Sequence, residues 1–522
     1  MRDHAPSLFD QGPPPPCPAP FNLAAEVLAT AEVEPGRPAL EVIGADGPEL
    51  TLTHGQLRDR VARAAAALRA AGLAPGARLV LRLGNDPAFP VAFLGAIWAG
   101  IVPVPVSAEL TAAELAAMLP AVAPAAVLAD PALPLPPLEL PVLAPAALAA
   151  PAARLPDPET GDPDRPAYAV FTSGTSGRPR AVLHAHRALW ARRMMWEGWY
   201  GLRPDERMLH AGAFNWTYTL GTGLLDPWTI GATALIPAPG LGRAALAAAI
   251  GRRGATIFAA APGVYRQLLA TGALGPAPAL RHGLSAGEKM AESLRRRWTE
   301  ATGTPVFEAL GMSECSTFVS SSPARPPRPG IAGYPQPGRR VAVLGPDHRP
   351  VPRGTPGQLA VSRRDPGLAL GYLDADAEWR ARLAGEWFLT GDEVVMEADD
   401  AIRFLGRMDD MLNAGGFRVS PLEIEAALAA HPAVAEAAAI ELPLSEETRI
   451  IAAVVVPADP ADPPAAEALA AHAAGRLARY KRPRRYLLAA ALPRGAHNKL
   501  ARRRVRDLAI AGRLTHLGDI RP

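Results

Sequence analysis

Apolar positions along this chain alternate between short runs and longer periodic stretches. Phe21–Leu28 opens a helical pattern, and Leu50–Thr53 reads as a short strand. Gln56–Leu73 (QLRDRVARAAAALRAAGL) carries apolar residues at helical spacing and reaches a glycine stop, with Pro75-Gly76 beyond. Arg78–Leu83 is predicted as a strand, Pro87–Ala99 as a helix ending at Gly100, and Ile101–Val106 as the next strand. Strand and helix in this rhythm predict a parallel α/β sheet. Thr111–Pro156 continues it in Ala/Pro-rich form, with Pro131–Pro141 as loop. His184–Trp199 is predicted helical. Leu209–Leu225 (LHAGAFNWTYTLGTGLL) is aromatic and turn-rich, and runs into an apolar segment ending near Ile236. Thr256–Ala260 and Val306–Leu310 read as strands, Pro262–Leu269 as a helix, and Leu284–Glu288 as strand then turn.

From Val341 to Phe404 short strands alternate with Gly and Pro, which predicts a β-rich subdomain. After Arg407 the pattern changes. Leu422–Ala430 and Ala465–Arg479 read as helices, Ala433–Leu442 and Ile450–Val456 as strands, together a small α+β domain of a size that folds alone. The fold class is therefore α/β: a large N-terminal domain with parallel sheets and a β-rich subdomain, followed by a small C-terminal α+β domain. The expected boundaries are 1–20 for a Pro-rich, poorly ordered segment, 21–408 for the large domain and 409–522 for the small one.

At 522 residues the chain is long enough for two or more domains and a large core. Although 49% of it is apolar, no unbroken apolar run reaches the length of a membrane span. The N-terminus shows no apolar stretch of the secretory kind after its charges. Cys17 and Cys315 are the only cysteines, which argues against a disulfide framework and fits a cytoplasmic enzyme. A net charge of +3 with dispersed arginines gives no reason to expect nucleic-acid binding. One compositional feature sharpens the picture. Lys289, Lys481 and Lys499 are the only lysines, against 51 arginines. A retained lysine in an arginine-writing chain points to a place where a compact ammonium matters.

The stretch Ala169–Arg180 (AVFTSGTSGRPR) sets an apolar, strand-like start before Thr172, Ser173, Gly174, Thr175, Ser176 and Gly177, then closes on Arg178-Pro179-Arg180. Glycines let the backbone approach a ligand, and serial N–H groups with hydroxyls make a concave anion site suited to phosphate. No Gly-Lys-Ser/Thr follows, so it is not a Walker loop. A Ser/Gly surface linker is the competing reading. Downstream stand Leu284–Glu288 (LSAGE), Leu310–Glu314 (LGMSE), Thr390-Gly391-Asp392, Gly406-Arg407-Met408-Asp409, Met411–Glu425 (MLNAGGFRVSPLEIE) and Leu492–Arg502 (LPRGAHNKLAR). Each has a plain structural reading. Ser313 and Glu314 suit a helix N-cap with a first-turn acid, Asp392 a turn, and Gly415-Gly416 a turn before a helix.

As an ordered set these motifs resemble those of the adenylate-forming superfamily: acyl-CoA synthetases, adenylation domains and luciferases. Within it the chain is most similar to benzoate-type acyl-CoA ligases. The resemblance runs from about Phe21 to Arg502. It implies that the Thr172–Gly177 loop holds the β- and γ-phosphates of ATP, with Arg180 in place of the family's terminal lysine. Ser313 would meet the α-phosphate and Glu314 a Mg²⁺ ion, a hard cation suited to carboxylate oxygen. Gly287 would lie against adenine. Leu310 stands where the family stacks a tyrosine on adenine. Asp392 would take the ribose hydroxyls, and Arg407 the ribose or phosphate. Asp409 would be the hinge, and Gly415 and Gly416 would line the CoA pantetheine tunnel. Lys499 falls on the adenylation lysine, bridging carboxylate and α-phosphate oxygens. Gly495 and Asn498 depart from the family pattern.

The implied reaction has two steps: carboxylate attack on the α-phosphate gives an acyl-adenylate and pyrophosphate, and a thiol then displaces AMP. Phe214, Asn215, Trp216 and Gly221 fall where the family builds the acyl pocket. A neutral Asn215 disfavours an α-amino acid, whose ammonium would lack its charge partner. Trp216, Tyr218 and Phe318 either wall a flat apolar slot or serve packing. Cys315 is read as a small pocket-lining residue rather than a nucleophile. An aromatic or short branched acid is favoured over a long fatty acid. Two rival readings share the motifs: a stand-alone adenylation enzyme that loads a carrier protein, and a non-catalytic nucleotide-binding protein. Glu314 and Lys499, both present, argue against the second.

Overall fold

The computed structural model describes residues 5–151, 154–172, 179–408, 412–414, 417–443, 449–494 and 500–520. The chain forms two compact units. One comprises 8–341 with 361–388; the other comprises the first seven residues, 342–360 and 389–522.

The larger unit is built on a nine-stranded sheet. Its six central strands, Val306–Met312, His282–Ala286, Ile257–Ala260, Arg207–His210, Thr233–Pro237 and Pro38–Ile43, run parallel in that spatial order. Antiparallel strands close both edges: Pro48–Thr53 on one side, Ser316–Ser320 and Tyr334–Pro335 on the other. A second sheet of four parallel strands is ordered Val102–Pro105, Arg78–Arg82, Ala126–Ala129, Val142–Leu143. Parallel strands are buried on both faces, so they read as continuous apolar runs rather than alternations.

The predicted helices appear with small shifts at their ends. Thr53 caps His54–Ala70 through a capping box with Gln56, which satisfies two of the otherwise orphaned groups at that end. This helix packs on Ala88–Trp98, where a Cβ on Gly95 would lie 2.7 Å from the Ala64 Cβ. The glycine is what lets the two backbones approach. The small-residue face of the first helix (Val61, Ala64, Ala65, Leu68) is fully buried.

Two expectations need correction. The Pro-rich opening is not poorly ordered over residues 5–20: Leu8–Phe9 forms a strand, Phe9 is buried, and the Pro15 carbonyl accepts the Trp190 indole N–H at 2.9 Å. Tertiary contacts hold a segment that has too few apolar residues to fold by itself. The predicted helix over 184–199 is also displaced. His184 belongs to the strand Arg180–Ala185, followed by short helices Arg187–Ala191 and Arg193–Met195 and a π-helical turn Trp196–Tyr200. Strand pairing on both sides, with Pro166–Thr172 and with Gly371–Leu373, overrides the local helical spacing.

In the smaller unit the hairpin formed by 389–396 of the strand Trp387–Met396 with Ile402–Arg407 precedes an α+β body. Its sheet is ordered Val434–Pro443, Arg449–Pro457, Arg485–Leu488, Thr515–Asp519, and its helices are Pro421–Ala429, Ala466–Ala474 and Arg502–Ile510. Its core gathers Ile424, Leu428, Val455, Leu469 and Tyr486. No helix among the described residues is long and apolar enough to cross a membrane.

Candidate active site

The Ser/Gly stretch lies between two antiparallel strands, Pro166–Thr172 and Arg180–Ala185, and Thr172 pairs with Arg180 across the hairpin. The strands that flank the stretch are thus paired with each other at its two ends. Ser173, Gly174, Thr175, Ser176 and Gly177 lie outside the described residues.

Arg180 is tied into the larger unit by two contacts. It forms an ion pair with Glu378, and its guanidinium lies 5.6 Å from the centre of the Tyr372 ring. The Tyr372 hydroxyl donates to Oε1 of Glu314, and Arg382 Nη1 donates to the same oxygen at 3.1 Å. Burial, and then the neighbouring Glu314 charge, push the Tyr372 phenol above its ordinary range, so it stays a donor at working pH. Tyr372 therefore joins two motifs that lie far apart in the chain. The sequence reading missed it, although the Gly371-Tyr372 pair in a strand run was visible.

Glu314 is buried at 5% exposure, while Ser313 before it is half-buried. The helix N-cap reading of this pair is excluded. The chain turns at 313–315 and returns as Ser316–Ser320, antiparallel to Val306–Met312. Leu310 is half-buried on the outgoing strand.

Gly287 has φ of +94°, a conformation that L side chains rarely adopt. A Cβ there would lie 2.6 Å from Trp216 Cζ2, so the indole rests directly on the Ser285–Gly287 turn. The structure thus brings together Trp216 and Gly287, assigned from sequence to acyl and adenine recognition. Trp216 also meets Tyr218 edge-on at 5.1 Å. Tyr218 is buried and donates to the Leu284 carbonyl at 2.9 Å, and Phe318 is 1% exposed, so both serve packing. Phe214 is likewise buried, 5.4 Å from Phe89. Asn85, which the sequence gave no reason to single out, accepts from the Phe214 N–H at 3.0 Å and donates to the Gly212 carbonyl at 2.7 Å. That clamp fixes the segment carrying half-buried Asn215 and Trp216.

Gly221 lies on a second π-helical turn, Thr219–Leu225. A Cβ on it would fall 2.2 Å from Arg192 Cζ. Arg192 is almost fully buried and makes a two-pronged ion pair with Asp226, Nε to Oδ1 at 2.7 Å and Nη2 to Oδ2 at 2.6 Å. Tyr200 donates to the same carboxylate at 2.8 Å. Burial alone would lower the guanidinium, but the Asp226 carboxylate outweighs it and holds Arg192 charged. A lone Asp in the apolar run LLDPW was the available sequence signal. Cys315 is fully buried, and burial holds its thiol well above the usual range, which leaves it inert.

In the smaller unit, Thr390-Gly391-Asp392 lies within the strand Trp387–Met396 and not in a turn. Asp392 pairs across the hairpin with Arg407, whose Nη1 is 2.8 Å from Oδ1 and 3.0 Å from the Thr390 carbonyl. Asp409, Gly415, Gly416 and Lys499 lie outside the described residues.

Comparison with known proteins shows the family of the chain. Residues 27–373 match the AMP-binding enzyme family and residues 423–499 the AMP-binding enzyme C-terminal domain. The 3-hydroxybenzoate–CoA ligase of Aromatoleum sp. (strain CIB) is 30% identical, over 90% of this chain and 94% of that protein. The benzoate–CoA ligase of Thauera aromatica is 31% identical, over 87% of this chain and 90% of that protein. The crystal structure of a benzoate CoA ligase from Burkholderia xenovorans LB400 superposes with a TM-score of 0.81 at 30% identity, covering 93% of this chain and all of that one. The chain belongs to the AMP-binding enzyme family and, within it, to the adenylate-forming acyl-CoA ligase superfamily.

Proposed function

We propose that this enzyme is an AMP-forming acid–CoA ligase that activates an aromatic or short branched carboxylic acid with ATP and transfers the acyl group to CoA. The observation that carries the reading is Glu314, a buried carboxylate held by Tyr372 and Arg382 directly after Ser313, with Arg180 of the Ser/Gly loop against the same tyrosine. In the first step a carboxylate oxygen attacks the α-phosphorus and the bond to the β-phosphate breaks, releasing pyrophosphate. In the second, the CoA sulfur attacks the acyl carbon and AMP leaves. Both partners of the first step are anions, so the work is positioning and charge stabilisation.

On this reading the loop from Thr172 through Ser173, Gly174, Thr175, Ser176 and Gly177, with Arg180, holds the terminal phosphates. Ser313 binds the α-phosphate, and Lys499 bridges acid and α-phosphate. Gly287 and Leu310 lie at adenine, and Asp392 with Arg407 at the ribose. Asn215, Trp216 and Gly221 wall the acid, with Phe214 packed behind them. Asp409 is the hinge of a small domain that moves between the steps, and Gly415-Gly416 serves CoA. A Mg²⁺ ion fits the donor set at Glu314: Tyr372 and Arg382 both bind Oε1, and among the described residues Oε2 receives no hydrogen bond. Bound there with ATP, the ion would neutralise phosphate charge.

CoA is preferred to a carrier-protein thiol because the named relatives are CoA ligases. The test is AMP and pyrophosphate release over a panel of carboxylic acids, with and without CoA. CoA-dependent AMP release with aryl or short-chain acids supports the reading. Adenylate formation without CoA turnover moves the acceptor to a carrier protein. ATP binding without turnover of any acid sinks it.

A further inference from the structure

A small cavity opens between Gly221 and Ser313; its surface is mainly apolar, with Tyr168, Leu220 and Leu225, and His184, Arg192, Thr217 and Ser316 set polar groups into it. Three of these polar groups stand out.

The first is His184. Its ring is 3% exposed and stacks on Tyr168 at 4.8 Å. Nε2 lies 2.8 Å from the carbonyl oxygen of Ser313. A carbonyl only accepts, so Nε2 carries the hydrogen and Nδ1 is a bare acceptor. Nδ1 is buried and has no hydrogen-bond partner among the described residues. Burial lowers the ring's pKa to about 4, so it stays neutral. The second is Arg192. Asp226 already neutralises it, while Nη1 faces away from that pair and donates to Ser316 Oγ at 2.8 Å. The third is Ser316 itself, a non-glycine residue at φ of +61°. Strain of this kind is concentrated at functional sites.

We infer that this cavity receives a hydroxyl group carried on the ring of the acid, donated to His184 Nδ1 and accepting from Arg192 or Ser316. The inference rests on the aryl-acid ligase reading above and deepens it. A second carboxylate on the substrate does not fit. Arg192 is already paired, and a bare Nδ1 repels an oxyanion. A methyl group does not fit either, because it leaves Nδ1 unpartnered out of water. An aryl amine donates to Nδ1 but accepts poorly from the guanidinium. A hydroxyl does both.

The experiment compares kcat/KM for benzoate, the three hydroxybenzoates, the matching methylbenzoates and the aminobenzoates. It uses the full-length enzyme and its His184→Phe and Ser316→Ala variants. The quantity read is the ratio of a hydroxybenzoate to benzoate within each protein, which cancels a general loss of active enzyme. In the wild type at least one isomer should exceed both benzoate and its methyl counterpart by about tenfold or more. In both variants that ratio should fall to within about threefold of unity. Turnover of benzoate or a methylbenzoate at least as fast as every hydroxybenzoate overturns the hydroxyl assignment alone. So does a preference that survives both substitutions, or an aminobenzoate that outperforms its hydroxy counterpart. No AMP formation with any acid overturns the ligase reading, and the hydroxyl assignment with it.

Discussion

The Tyr372 hydroxyl donates to the Glu314 carboxylate across 58 residues of chain, and the same tyrosine ring lies under the Arg180 guanidinium. Arg180, at the start of the strand Arg180–Ala185, and a carboxylate just beyond the end of another strand are thereby tied to one side chain on the strand Gly371–Leu373. Removing that hydroxyl in Tyr372→Phe keeps the ring, its edge-on contact with Trp379 and its place under Arg180. The expected result is an unchanged melting temperature with kcat/KM for ATP lowered about tenfold, read as pyrophosphate release. A wild-type rate would show that Arg382 alone positions Glu314.

Lys499→Ala should separate the two half-reactions. On the role proposed for Lys499, its loss should slow adenylate formation by about 10²-fold or more. Thioester formation from chemically prepared acyl-adenylate and CoA should remain, since that step requires no α-phosphate attack. Equal loss of both steps in single-turnover measurements would contradict the role assigned to this lysine.

The buried Arg192–Asp226 pair makes a stability prediction. Arg192→Met leaves the Asp226 carboxylate, with 0% side-chain exposure, without its charge partner. The expected loss is about 3–5 kcal/mol in denaturant unfolding of the larger unit. A double change, Arg192→Met with Asp226→Leu, should recover much of it. Gly221→Ala puts a methyl 2.2 Å from a guanidinium that Asp226 holds in place, and should cost about 1–3 kcal/mol.

Five buried histidines among the described residues set a pH dependence, His54 being lowered by burial as well. Burial lowers His184 from 6.5 to about 4, and His186, His210 and His282 to about 3. Below pH 6.5 the unfolded chain binds these protons and the folded chain does not. Stability is therefore fully present above pH 6.5 and falls as pH drops toward 4 and then 3. Each histidine should contribute a slope of about 1.4 kcal/mol per pH unit inside its window. His282→Phe, next to Phe307 at 4.9 Å, should reduce the proton uptake on unfolding by about one. Unfolding titrations at several pH values read that slope directly.

The sequence by itself determined the architecture of alternating strands and helices, because periodicity and capping are local properties. Thr53 with Gln56, or Gly after Ala71, needs no distant partner to be read. It also supplied the candidate residues for the proposed chemistry, in order: the Ser/Gly loop, Ser313-Glu314, Asp392 and Lys499. Tertiary structure alone decided which residues serve them. Local spacing favours a helix at His184, yet pairing with strands on both sides makes it part of a sheet and turns its ring toward Ser313, 129 residues away. Tyr372, Asn85 and the Arg192–Asp226 pair carry no motif, since what makes each matter is a partner brought close through space. A hydrogen bond or a buried charge pair depends on geometry within a few ångströms, and sequence separation does not encode that distance.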